Sequence, residues 1–184
     1  MANIKVGVLV GSLREGSNSR AIADQLVAGL PENYESTIIQ IGDLPLYNED
    51  LEANVPAEWT RLRAEVKDQD AFIFVTPEYN RNMPASIKNA LDVASRPYGD
   101  SGWDGKPAMV ASSSMSVLSG ALANHDVRQS LVFLNMPTMQ QPEVYIASAQ
   151  ELITDNKISN EGTIGFLQTV TDAFAAHVEL YVTK

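Results

Sequence analysis

Two stretches of this chain are apolar without alternating, and that pattern admits few folds. Ile4-Lys5-Val6-Gly7-Val8-Leu9-Val10 and Ala71-Phe72-Ile73-Phe74-Val75 are each nearly continuous in apolar residues. A strand with one wet face would place a polar residue at every second position, so these read as strands buried on both sides. Such strands belong to a parallel sheet covered by helices, because a parallel connection must cross over the sheet, usually through a helix.

The segments between and after these runs carry the matching periodicities. Residues 19–30 place Ile22, Leu26 and Leu30 at helical spacing and stop at Pro31. Residues 36–41 form a second β-rich run, which leads into a loop-like stretch over 42–48. Residues 56–69 read as an amphipathic helix with Trp59, Leu62 and Val66 on one side. Pro84 suits the first turn of a helix whose inner stripe is Ile87, Ala90, Leu91 and Ala94. Residues 107–111 predict a fourth strand, 120–134 a helix and 144–146 a fifth strand. Leu167, Val170, Phe174, Val178 and Tyr181 predict a closing helix over 163–182. The alternation predicts one α/β domain over residues 1–184, a doubly wound five-stranded parallel sheet with helices on both faces.

In an open α/β sheet, ligands bind beyond the carboxyl ends of the strands. Two loops there carry chemistry. The first is Gly11-Ser12-Leu13-Arg14-Glu15-Gly16-Ser17-Asn18-Ser19-Arg20. A helix N-terminus offers unpaired N–H groups and partial positive charge, which favour an anion. Hydroxyls of Ser12, Ser17 and Ser19, the amide of Asn18 and the guanidinium of Arg14 supply further donors suited to a phosphate monoester. This is neither a Walker loop nor the G-x-G-x-x-G fingerprint. As a polar loop it needs no more than a serine helix cap, and Arg20 reads as a solvated helix residue.

The second loop is Thr76-Pro77-Glu78-Tyr79-Asn80-Arg81-Asn82-Met83-Pro84. Its two prolines restrict the backbone, so little entropy is lost when a ligand orders it. Tyr79 can lie against a planar ring, while Asn80 and backbone amides can meet the polar edge of a heterocycle. The Glu78 carboxylate has three open roles: a ribityl contact, a helix-dipole partner or a subunit contact. Arg81 and Asn82 read as solvent-facing. A phosphate cradle beside a ledge for a flat heterocycle points to flavin mononucleotide (FMN).

Bulk properties narrow the alternatives. The 184 residues carry 13 − 23 = −10 formal charges, which disfavours nucleic acid and anionic membranes as partners. The chain has no cysteine, so disulfides, thiolate catalysis and cysteine-ligated metals are excluded. That composition fits a cytoplasmic protein. Two histidines far apart in sequence, His125 and His177, make a histidine metal site an unattractive reading, and His125 reads as a surface or interface residue. The apolar run ending at Val10 is too short to span a membrane and lacks the order of a signal peptide.

Several motifs in order resemble the NADPH-dependent FMN reductase family, flavodoxin-like proteins that include quinone, chromate and azo-dye reductases. They are Gly11-Ser12-Leu13-Arg14-x-Gly16-Ser17, Pro77-Glu78-Tyr79-Asn80 and Pro84-x-x-Ile87-Lys88-Asn89-Ala90-Leu91-Asp92. The likeness continues through Gly105-Lys106-Pro107, through residues 127–137 and through Gln141-Pro142-Glu143-Val144. It implies that Ser12, Arg14, Ser17 and Ser19, with Asn18 beside them, bind the FMN phosphate. It implies that Pro77, Glu78, Tyr79 and Asn80 form the ribityl and isoalloxazine loop. The family's third flavin loop usually reads Ser-Pro-Gly-x-x-Gly-Gly. Here Ser114-Met115-Ser116-Val117-Leu118-Ser119-Gly120 stands in its place, a partial match that leaves Ser114, Met115, Ser116 and Gly120 as cofactor contacts.

The activity implied is hydride transfer from NADPH or NADH, through FMN, to a small-molecule electron acceptor such as a quinone, flavin or azo compound. The cofactor carries that chemistry, so no side-chain acid or base is expected. The resemblance also implies a homodimer or homotetramer. Leu44, Leu46, Tyr47, Leu51, Met83 and Tyr98 supply apolar character suited to a contact between subunits or to loop packing. A flavodoxin-like electron carrier or a flavin redox sensor acting through protein partners is the alternative, and the acidic balance suits docking on basic partners. A serine hydrolase built on Ser112, Ser113, Ser114 or Ser116 lacks the Gly-x-Ser-x-Gly elbow.

Overall fold

A computed structural model describes residues 3–182, so the first and last two residues of the expected domain lie outside the described residues. Strands β1 (Ile4–Val10), β2 (Tyr34–Ile38), β3 (Ala71–Pro77), β4 (Ala108–Ser113) and β5 (Val144–Ile146) form one sheet in the order β2-β1-β3-β4-β5. Every pairing in it is parallel. This is the flavodoxin-like member of the doubly wound folds. The helices are α1 (Asn18–Ala28), α2 (Ala57–Asp68), α3 (Ala85–Ala94), α4 (Ala121–Phe133) and α5 (Glu161–Glu179).

The continuous apolar runs are explained by two cores, one on each face of the sheet. Val6, Val8, Val10, Ile73 and Val75 pack with Ile22 and Leu26 of α1 and with Leu167, Val170, Phe174 and Val178 of α5. The intervening residues Leu9, Phe72 and Phe74 point the other way, into Trp59, Leu62, Ile87, Leu91, Trp103, Val127 and Leu131. Side chains alternate between faces, and here both faces are dry. The Phe72 and Trp103 rings meet edge to face with centroids 4.9 Å apart.

After β1 the chain runs outward to β2, then returns past β1 to β3. The winding therefore reverses between β1 and β3, and a crevice opens at their carboxyl ends. Among the described residues no helix is long and apolar enough to cross a membrane.

Several boundaries depart from the sequence-based expectation. Strand β2 lies at Tyr34–Ile38 and not over 36–41. It is an edge strand with half-exposed residues, and Ile39 and Ile41 are buried just beyond it against the second core. The closing helix ends at Glu179, leaving Tyr181 outside it. Glu49–Asn54, to which no element was assigned from sequence, forms a 3-10 turn. A two-stranded hairpin, β6 (Ile153–Thr154) and β7 (Lys157–Ile158), was not anticipated. Of the apolar residues weighed for a subunit contact, Leu46 and Tyr98 are exposed, whereas Leu44, Tyr47, Leu51 and Met83 pack against the second core.

Candidate functional site

The loop after β1 is held from three sides. The Gly11 N–H donates to Val75 O at 2.9 Å, and Ser86 Oγ donates to Gly11 O at 2.9 Å. A Cβ on Gly11 would sit 2.7 Å from Ile87 Cδ1 and 3.0 Å from Pro77 Cδ, so a side chain here would have to displace Ile87. Gly16, at φ +63°, turns the chain into Ser17, the N-cap of α1. Ser17 is buried and its Oγ accepts the Arg20 N–H at 3.1 Å. The N–H groups of Asn18 and Ser19, in the first turn, have no intrahelical acceptor. Ser19 is also buried, its Oγ 3.4 Å from Ser113 Oγ, which links this loop to the end of β4. Arg14 is exposed, and its Nη1 donates only to the neighbouring Glu15 O, leaving most of its fork to face a ligand. Arg20 pairs with Asp24 one turn along α1 and is exposed, as its solvated reading expected.

The loop after β3 turns back on itself. Tyr79 and Asn82 exchange both backbone hydrogen bonds, at 3.0 and 3.1 Å. Between them Asn80 and Arg81 have φ of 51° and 67°, a type I′ turn. Arginine in the left-handed region is strained, and such strain collects at ligand sites. Glu78 takes one of its three open roles. Its Oε2 accepts the N–H groups of Leu122 and Ala123 at 3.1 and 3.4 Å, at the N-terminus of α4. Its Oε1 accepts Arg81 Nη1 at 2.9 Å, and the side chain is only 7% exposed. The carboxylate is thus a helix-dipole partner. Arg81, expected to face solvent, is 61% exposed yet tied to Glu78 and lines the cavity.

The loop after β4 is knitted by its own serines. Ser114 Oγ accepts the Ser116 N–H at 3.2 Å, and the Ser114 N–H donates to Ile146 O at 3.1 Å. Ser112 Oγ donates to Ser119 O at 3.0 Å. Gly120, at φ +73°, is the N-cap of α4. Met115 projects into solvent. These serines serve the backbone, and neither histidine faces them: His125 lies against Tyr145, and His177 is bonded to Pro137 O. A hydrolytic triad has no base here.

The three loops enclose a cavity of about 570 Å³, within the usual range for small-molecule sites. Ser12, Arg14, Asn18 and Ser19 line one end; Pro77, Glu78, Tyr79 and Asn80 line a second wall; Ser114, Met115 and Ser116 line a third. Of the residues expected from sequence, Ser17 and Gly120 stay outside the lining and instead cap α1 and α4. Ser113 and Arg81 line it without having been expected. Ser113 is the last residue of β4, and a residue at the carboxyl end of a central strand is the signal that could have found it. Chemically, the cavity offers clustered donors at a helix N-terminus for an anion, and an aromatic and a thioether side chain for a flat group. Glu78 is its only carboxylate, and both oxygens are engaged.

Comparisons with known proteins agree on one family. Residues 4–151 match the family described as NADPH-dependent FMN reductase. A quinone reductase of Pseudomonas putida is 52% identical over 176 residues, covering 95% of each chain. A 2-hydroxy-1,4-benzoquinone reductase of a Burkholderia species is 39% identical, covering 95% of this chain and 96% of its own. The solved structure of FerB, a flavoenzyme NAD(P)H:(acceptor) oxidoreductase of Paracoccus denitrificans, superposes with a TM-score of 0.89 at 39% identity. That match covers 97% of this chain and 98% of FerB.

Proposed function

The chain belongs to the NADPH-dependent FMN reductase family, and from that premise we propose that it delivers reducing equivalents from NAD(P)H to quinones in the cavity between the β1–α1, β3–α3 and β4–α4 loops. The observation that carries this reading is the cluster of donors at the α1 N-terminus, facing a wall that holds Tyr79. The residues fit the cofactor. Ser12, Asn18 and Ser19, with Arg14 and the first-turn N–H groups, hold the FMN phosphate. Ser17 acts one step back, fixing the helix start that presents those groups. Pro77, Tyr79, Asn80, Ser114, Met115 and Ser116 flank the ribityl chain and ring. Glu78 and Gly120 hold the β3–α3 and β4–α4 loops in place.

Bound FMN supplies the hydride-transfer chemistry. The chain's own part is to orient, to offer fixed dipoles and to leave room for a second flat molecule. Tyr79 and Met115, 49% and 70% exposed, give an electron-poor ring an apolar edge to lie against. Glu78, the carboxylate of the lining, is committed to α4 and Arg81.

The whole of residues 1–184 serves as one flavin-binding domain of a cytoplasmic enzyme that assembles as a homodimer, or as a homotetramer built from it. The α3–α4 face supports the dimer. It holds a groove of about 980 Å³ edged by Tyr98 and Phe133, 92% and 90% exposed. Lys88 and Arg96 line the groove alongside Asp92, Asp100, Asp104 and Asp126, so one patch carries both signs. A two-fold contact requires such self-complementarity.

The test is oxidation of NADPH by the purified, FMN-loaded protein with benzoquinone as acceptor. Quinone-dependent turnover supports the proposal. NADPH and NADH both left unoxidised would favour an electron carrier or sensor that is reduced by a protein partner.

A further inference from the structure

The β6–β7 hairpin lies beyond residues 4–151, the part of the chain that matches the family. Its strands are two residues each, joined by Asp155 and Asn156 at φ of 50° and 61°, a type I′ turn. So short a hairpin is not stable alone. Its stem is anchored: Ile158 is buried in the core beside α1, with Leu152 and Ile153 packed against it. The Ser159 N–H closes the stem on Leu152 O at 2.8 Å.

What this anchored stem presents at its tip is Asn156, and Asn156 stands over Gly16. A Cβ on Gly16 would lie 2.9 Å from Asn156 Oδ1, 3.7 Å from Cγ and 3.9 Å from Nδ2. The amide therefore fills the space that a side chain on Gly16 would need. Gly16 is the residue whose left-handed turn delivers Ser17 as the cap of α1, and so sets the direction of the donors at that helix start. A glycine left open visits both signs of φ about equally. With the Asn156 amide set beside it by the anchored stem, Gly16 has fewer alternatives although it still faces solvent on its other side.

We propose that Asn156 is a positioning residue for the cofactor: it holds the β1–α1 loop in its anion-binding form before the cofactor arrives. The inference rests on the reading that this loop holds the FMN phosphate. Its physical content is preorganisation, in which the ordering cost of the loop is met on folding and no longer subtracts from binding.

The test is Asn156→Gly, because glycine accepts the left-handed φ of the turn and removes only the side chain. FMN affinity of the apoprotein should fall roughly tenfold, about 1.4 kcal/mol, while riboflavin, which lacks the phosphate, should change less than about twofold. Hydrogen exchange of the amides from Gly16 to Ser19 should quicken in the apoprotein, with the melting temperature held. Asn156→Asp keeps the turn and the shape but adds an anion, and it should weaken FMN by at least the same factor. Unchanged FMN affinity and unchanged exchange in Asn156→Gly would overturn the inference, as would equal losses for FMN and riboflavin. Wild-type protein that binds no FMN would instead refute the underlying reading, and the exchange rates would still decide whether Asn156 holds the loop.

Discussion

Arg14 and Glu78 divide the charged work of the site between ligand and scaffold. Arg14 has a single hydrogen bond, to its neighbour's carbonyl, so removing it costs the fold little and the ligand much. Arg14→Ala should weaken FMN by about 1.5–3 kcal/mol, the range for a charge-assisted hydrogen bond, and leave riboflavin unchanged. Titration of both flavins into the apoprotein reads this directly. Glu78 is the converse case. Glu78→Ala frees two N–H groups of α4 and the Arg81 guanidinium, so urea unfolding of the apoprotein should show a loss of about 1.5–3 kcal/mol. An unchanged midpoint would mean the carboxylate serves a ligand only. The sequence made both side chains candidates but could not separate them, because the α4 N-terminus that Glu78 caps lies more than forty residues further along the chain. Arg81 read as a solvent residue for a different reason: its partner Glu78 is only three residues away, and the pairing depends on the type I′ turn that folds the loop back.

At the scale of elements, what was legible depended on how completely a segment's pattern is claimed by a core. Strands β1 and β3 declared themselves by being dry on both faces, and helix α2 by the single buried side that carries Trp59, Leu62 and Val66. Strand β2 was misplaced because an edge strand lacks that signature and the buried Ile39 and Ile41 just beyond it imitate one. The β6–β7 hairpin has strands too short for any period to register. Element ends are also where pH acts. Lys106 Nζ donates to Val66 O and Lys67 O at 2.6 and 2.9 Å, closing the C-terminus of α2. Burial pushes its pKa down to about 8 against the pull of Asp70 and Asp68. Between about 8 and the ordinary 10.5 the unfolded chain holds this proton and the folded chain has released it. Stability from this group therefore rises with pH across that window. Compared with Lys106→Met, wild type should gain unfolding free energy from pH 8 to 10.5, measured by urea melts at fixed ionic strength. A difference that falls over that range would contradict the assignment.

The whole molecule gathers these parts at one edge of the sheet. The reversal of winding between β1 and β3 brings two distant loops together, and Ser19 and Ser113 join the third. A parallel, doubly wound sheet could be anticipated from the alternation of strands and helices, and the family from motifs in sequence order, while the strand order itself came from the structure. The α3–α4 groove was legible only in part: Tyr98 was among the residues weighed for a subunit contact, but Phe133 sits at the end of α4, where exposure has no periodic signature. If that face is the dimer contact, Phe133→Asp should yield a monomer in sedimentation velocity while retaining bound FMN. The central claim, that the β1–α1 loop is built for the phosphate of FMN, is tested most directly by equilibrium binding of FMN and of riboflavin to the same apoprotein. Several charge-assisted donors predict FMN tighter by at least about a hundredfold. Equal affinities would mean that the phosphate is not held there, and the assignment of the site would fall.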